Sequence, residues 1–138
     1  RVDAFDLDPR MVARARARTG PLGERVRLWE GSATAIPAAD GAYDAVFDFG
    51  IVHHIPDWRA AVREMARVLK PGGRVYVEEV LDYTINRHPL WSRVLDHPRE
   101  DRFDAPTFRQ ALTSAGIRVD GTAELWGGYA WFTGVREE

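Results

Sequence analysis

The sequence predicts an α/β fold: a mostly parallel sheet with flanking helices and an antiparallel hairpin at its C-terminal end. Three observations carry that expectation. Short apolar runs alternate with segments of helical periodicity, the pattern of strands joined by crossover helices. One run, "YDAVFDFGIVHH" (Tyr43 to His54), has an apolar core interrupted by Asp48, as expected of a strand covered on both faces. The last two strand-like segments meet at Gly127-Gly128, which reads as a hairpin turn.

In chain order, Val2 to Leu7 is a short strand. Asp8 caps a helix with Pro9 in its first turn and Met11, Val12 and Ala15 on its apolar face. A second strand follows at Val26 to Trp29, and the Tyr43 run is the third. The clearest helix starts at Asp57 and reaches about Leu69, with Trp58, Ala61, Val62, Met65, Val68 and Leu69 forming one buried stripe. Pro71 and Gly72-Gly73 end it, and Arg74 to Val80 is the next strand. Asp104 caps a helix carrying Phe108, Ala111, Leu112 and Ala115, and Gly116 stops it. Ile117 to Trp126 and Tyr129 to Val135 form the closing hairpin. The long irregular stretch, 82–103, is rich in His, Arg, Asp and aromatics, a composition and length typical of functional loops.

With 138 residues and 45% hydrophobic content, the chain fits a single domain with a real core. A balance of 19 basic against 21 acidic residues, net charge -2, gives no global pull toward nucleic acid or anionic membrane. Arg10, Arg14 and Arg18 recur at helical spacing and read as a solvated face. The absence of cysteine excludes disulfides, thiolate zinc sites and cysteine nucleophiles, and fits a reducing cytoplasm. No apolar run approaches the ~20 residues of a membrane span. No HExxH or comparable ligand cluster is present, so no metal is expected.

Within Tyr43 to Val80, "RVLKPGGRVYV" is the most specific piece, and the whole block resembles the centre of class I S-adenosylmethionine-dependent methyltransferases. "AFDLDPRMVARARAR" (Ala4 to Arg18) is similar to that family's second strand and following helix, and "VRLWEGSATAIP" (Val26 to Pro37) to its third strand and adenine loop. The resemblance implies a Rossmann-like sheet of strand order 3-2-1-4-5-7-6. It also implies that the first strand and its glycine-rich GxGxG turn are missing here, since no glycine of this chain substitutes for them. The expectation is one N-terminally incomplete methyltransferase domain over residues 1–138. The chain would then be a truncated piece, or the flanking strands would pair directly, or a second copy would fill the gap as a homo-oligomer through exposed strand edges.

The resemblance also assigns roles. Asp6 matches the carboxylate that accepts from both ribose hydroxyls, with Leu7 against the adenine ring. Ser32 and Ala33 match the loop at the adenine edge, where the family more often has Asp than Ser. Asp48 and Phe49 match the strand end at the cofactor's methionine half; Asp48 would meet its amino group or sulfonium, or else pair with an arginine. His53 and His54 follow on the loop facing the transferred methyl, as candidate catalytic bases. Tyr83, His88, Trp91 and His97 lie in the 82–103 insertion, where the family builds its substrate lid. The implied reaction is direct displacement from S-adenosylmethionine onto an O, N or C nucleophile of a small-molecule acceptor, leaving S-adenosylhomocysteine. The competing expectation is a non-catalytic binding or interaction module that keeps the sheet and helices.

Overall fold

The computed structural model describes residues 1–87, 90, 94 and 99–138. An aspartate starts each of its labelled helices. Asp8 accepts from Arg10 N at 2.8 Å ahead of α1 (Pro9–Thr19), and Asp57 from Ala60 N at 3.0 Å ahead of α2 (Trp58–Val68). Asp104 accepts from Thr107 N at 2.9 Å ahead of α3 (Ala105–Ser114). Each side chain satisfies an N–H that the first helical turn would leave without a partner.

The strands are β1 (Val2–Asp6), β2 (Val26–Glu30), β3 (Tyr43–Phe49), β4 (Leu69–Val80), β5 (Ile117–Leu125) and β6 (Tyr129–Arg136). They form two sheets. β1 and β2 pair in parallel, and the second sheet has the order β3-β4-β6-β5. There β3 and β4 run parallel, while β6 is antiparallel to both β4 and β5. The α/β class and the C-terminal hairpin are as expected, and the order reproduces the two flanks of 3-2-1-4-5-7-6.

Direct pairing of the strands on either side of the gap does not occur. β1 and β3 each have one hydrogen-bonded neighbour, and the link between them is a side chain: Tyr43 Oη donates to Asp3 Oδ2 at 2.9 Å. The Asp3 carboxylate also holds Arg27 of β2, so it ties β1 to both its neighbours.

The core lies on one face of the larger sheet. Alternation on β4 turns Val75, Val77 and Glu79 inward, where they meet Ala130 and Phe132 of β6 and the apolar stripes of α2 and α3. Phe108 is fully buried between Phe103, Phe132 and Trp58, at ring-centroid distances of 4.7, 5.1 and 5.8 Å.

Three sequence expectations need correction. Among the described residues β3 is covered on one face only, because α2 and α3 pack on the same side; Phe47 and Phe49 on the other side are 58% and 75% exposed. β4 begins at Leu69, before the Pro-Gly-Gly turn. Leu69 pairs with Tyr43 and Arg74 with Ala45, so the turn bulges out between two rungs of one ladder and does not separate helix from strand. The hairpin turn takes in Trp126 as well as Gly127 and Gly128, with Trp126 in the left-handed region at φ 51°. Among the described residues no helix is long and apolar enough to cross a membrane.

Phe108→Ala is expected to cost about 3–5 kcal/mol of unfolding free energy, read by urea titration. A loss below about 1 kcal/mol would mean that this aromatic cluster is not part of the cooperative core.

Candidate functional site

Parallel pairing puts the carboxyl ends of β1 and β2 side by side, and does the same for β3 and β4; in open α/β sheets ligands collect at such ends. At the end of β1, Asp6 is half-buried and its Oδ1 accepts from Asp8 N at 2.8 Å. Oδ2 has no partner among the described residues, so the carboxylate keeps acceptor capacity. Leu7, beside it, is 71% exposed. Gly31 N donates to Asp6 O at 3.0 Å and brings the loop after β2 alongside. In that loop Ser32 and Thr34 share a hydroxyl hydrogen bond of 2.8 Å, and Ala33 packs against the main core.

α2 fixes the continuation of this loop. Glu64 accepts from Ile36 N at 2.7 Å, while Arg67 reaches Ile36 O, Ala38 O and Asp40 and pairs with Glu64. The helix that covers the larger sheet therefore also holds the loop leaving the smaller one.

At the end of β3, Phe49 is exposed and Asp48 is turned inward, 6% exposed. Asp48 Oδ1 accepts from Ile51 N at 3.2 Å; its other oxygen faces no N–H donor, and its neighbour is the carboxylate of Glu79. The pairing with an arginine considered for Asp48 is therefore replaced by pairing with a second acid. Glu79, on β4, is fully buried. It accepts from Val52 N at 2.7 Å, His53 N at 3.3 Å and His53 Nδ1 at 2.6 Å. His53 is buried, its ring tilted against that of His54 at 4.2 Å between centroids, and His54 is exposed. From outside, Arg102 donates to His53 O. Among the described residues no three carboxylate or imidazole groups are placed to hold a metal ion.

Burial dominates the electrostatics here. Asp48 is pushed up to about 9, first by loss of hydration and then by the adjacent Glu79. Burial also pushes Glu79 upward, against the pull of Asp48 and the backbone N–H groups it accepts from. His53 is lowered to about 4 by burial and by the charge of Arg102, so it is a neutral ring whose Nδ1–H donates to Glu79.

The structure thus sets Asp6, Leu7, Ser32 and Ala33 at one group of strand ends, and Asp48, Phe49, His53 and His54 at the other. Tyr83 sits on a single π-helical turn after β4, against Gly128 of the hairpin. His88, Trp91 and His97 lie outside the described residues. A groove of about 340 Å³ between α2 and α3, lined by Arg59, Arg63, Gln110 and Ser114 among others, contains none of the expected site residues. Glu79 and Arg102 were missed by sequence reasoning. Glu79 had a signal, since it shares the parity of Val75 and Val77 on a strand whose alternate residues face the core.

Comparison with known proteins places this geometry. A family profile described as "Methyltransferase domain" matches residues 1–77. The chain belongs to the methyltransferase-domain family. A demethylmenaquinone methyltransferase of Thermus thermophilus is 44% identical over 75 residues, 54% of this chain and 34% of that protein. An uncharacterized protein of Mycobacterium tuberculosis, Rv1405c, is 38% identical over 134 residues, 97% of this chain and 43% of its own length. The N-methyltransferase NodS of Bradyrhizobium japonicum, solved with S-adenosyl-L-homocysteine, shares the fold: TM-score 0.78, 18% identity, 100% of this chain and 67% of NodS covered. The chain spans less than half the length of these two curated relatives.

The displaced titrations of Asp48 and His53 in this methyltransferase domain act in opposite directions. Asp48 binds its proton more tightly folded (about 9) than unfolded (3.8), so its stabilisation weakens as pH rises toward 9. His53 binds its proton less tightly folded (about 4) than unfolded (6.5), so its stabilisation is lost as pH falls through that window. Above pH 6.5 the His53 effect no longer opposes that of Asp48 and its partner Glu79. The melting temperature is expected to fall between pH 6.5 and 9, and Asp48→Asn is expected to flatten that fall. An equal fall in the variant would remove Asp48 as its source.

Proposed function

We propose that this domain binds S-adenosylmethionine across the carboxyl ends of β1, β2 and β3 and serves methyl transfer to a small-molecule acceptor. The observation that carries the reading is Asp6: a half-buried carboxylate at the end of β1, with one oxygen engaged by Asp8 N and the other without a partner among the described residues. Such an acceptor-only group suits a vicinal diol, whose hydroxyls donate to both its oxygens.

The bound cofactor supplies an activated methyl on a sulfonium. The chain's own residues hold and shield. Asp6 takes the ribose, Leu7 offers an exposed apolar surface to the adenine, and Ser32 and Ala33 border the adenine edge. Asp48 and Phe49 stand at the methionine end, Phe49 with its exposed ring and Asp48 through the loop it anchors. Of the two histidines, His54 is the candidate to take a proton from the acceptor, because it is exposed while His53 is buried beneath it. Tyr83 borders the acceptor side; His88, Trp91 and His97, outside the described residues, stay acceptor-contact candidates from the sequence alone. A near-balanced net charge of -2 supports a small acceptor over a nucleic acid. Alignment of nucleophile, methyl and sulfur supplies most of the rate in such a displacement, so no nucleophilic side chain is needed.

Calorimetric titration of the 138-residue chain with S-adenosylhomocysteine tests the reading. Saturable binding is expected, weakened roughly 10- to 100-fold by Asp6→Ala, the loss of hydrogen bonds to a charged acceptor. A folded chain that takes up no S-adenosylhomocysteine would sink it.

A further inference from the structure

The loop from Gly50 to Ile55 has a complete account of its backbone donors, and two acids dominate it. Gly50 N donates to Glu78 O at 2.7 Å, and Ile51 N to Asp48 Oδ1 at 3.2 Å. Val52 N and His53 N both end on Glu79, while His54 N and Ile55 N return to Ile51 O and Val52 O within the turn. Glu79 takes three further demands on the same carboxylate: its own strand neighbour Val80 N at 3.2 Å, the His53 ring, and the carboxyl of Asp48. An acceptor-only carboxylate, with about four lone-pair sites, can take up such a crowd of donors by sharing them; a side-chain amide cannot, because half of it donates.

We propose that Glu79 is the positioning residue of this domain: it holds the loop Gly50–Ile55, and with it His54, in the shape that borders the cofactor cleft, while Asp48 supplies the proton that lets two buried acids face each other. The part played toward the cofactor rests on the function proposed above; the anchoring of the loop does not.

The partners of Glu79 are specific. Asp48 faces it from β3, His53 from the loop, and Arg102 from the segment before α3, where Arg102 also feels the charges of Asp82 and Asp101. Asp48 Oδ2 is buried with no N–H to accept from, so a proton there turns it into the donor that Glu79 lacks on that side. An asparagine at 48 makes that donor permanent: its carbonyl still accepts from Ile51 N, and its amide replaces the shared proton. A glutamine at 79 does the opposite and sets an N–H against backbone N–H groups.

Amide hydrogen exchange over residues 50–55 at pH 7, with S-adenosylhomocysteine titration of the same samples, tests this. Glu79→Gln is expected to lower loop protection at least about tenfold, with the α2 and β4 amides unchanged, and to weaken binding by a similar factor. Asp48→Asn is expected to keep loop protection within about twofold of the parent. Unchanged protection in a folded Glu79→Gln chain overturns the anchoring. Lost protection with unchanged affinity overturns the positioning role. If Glu79→Gln does not fold, Asp48→Asn decides: loss of its loop protection overturns the shared proton, and retention supports it. Absence of binding in the parent chain is the failure of the proposed function, and the exchange data then judge the anchoring by themselves.

Discussion

Glu79 is a carboxylate without any solvent, and the strand ends around it are arranged as that constraint requires. An ion in this position costs several kcal/mol unless its lone pairs are met. They are met chiefly by the N–H groups and ring of the loop after β3, with Val80 N and Asp48 as the other partners, so the loop folds back over the end of β4 and His53 is buried beside the exposed His54. The acid and the loop therefore define each other. The same packing leaves Asp48 with a second acid as its neighbour, which one proton resolves and an arginine would have resolved differently. Arg102 approaches instead from the far side and takes the carbonyl of His53.

A second constraint joins the two sheets. β1 and β2 share no ladder with β3, and a two-stranded sheet by itself is marginal in water. The attachments that the structure provides are polar and specific: the Tyr43 hydroxyl on Asp3, and the Glu64–Arg67 pair of α2 on the loop from Ile36 to Asp40. Glu64 and Arg67 are partly buried and share a bidentate contact with each other, so each is oriented before it meets the loop. Hydrophobic burial builds the larger sheet, and directed hydrogen bonds, together with the packing of Ala33 on the core, place the smaller one.

Much of the fold was legible in the sequence because it rests on short-range chemistry. Asp8, Asp57 and Asp104 announced their helices, and the stripe from Trp58 to Val68 gave the face of α2. What escaped depended on distant partners. Phe47 and Phe49 look like core residues in a strand of continuous apolarity, and only the placement of both α2 and α3 on the opposite face exposes them. The Pro-Gly-Gly turn reads as an ending, but Leu69 already pairs with Tyr43, a contact that local pattern does not encode. The candidate site divides in the same way. Asp6, Asp48 and the histidines stand at strand ends, which alternation locates. Glu79 hides in "VYVEEV", where two adjacent acids look alike until parity separates Glu78, exposed and bound to Trp131, from Glu79 in the core.

These two constraints meet where the cofactor is proposed to lie. Asp6 belongs to the smaller sheet, and Phe49 and the Glu79-held loop belong to the larger one, so a ligand touching all three spans the seam between them. Methyl transfer by displacement needs the donor held to a fraction of an ångström, and that precision has to come from elements that do not move relative to one another. Across this seam rigidity is supplied by α2, which is buried against the larger sheet and clasps the loop of the smaller one. A ligand that bridges the seam adds a further tie, and its binding energy is then partly spent on fixing the two sheets together. On the proposed function, affinity for a nucleoside at Asp6 and order in the loop from Gly50 to Ile55 would be linked through the body of the domain, although neither element touches the other by a shared strand ladder.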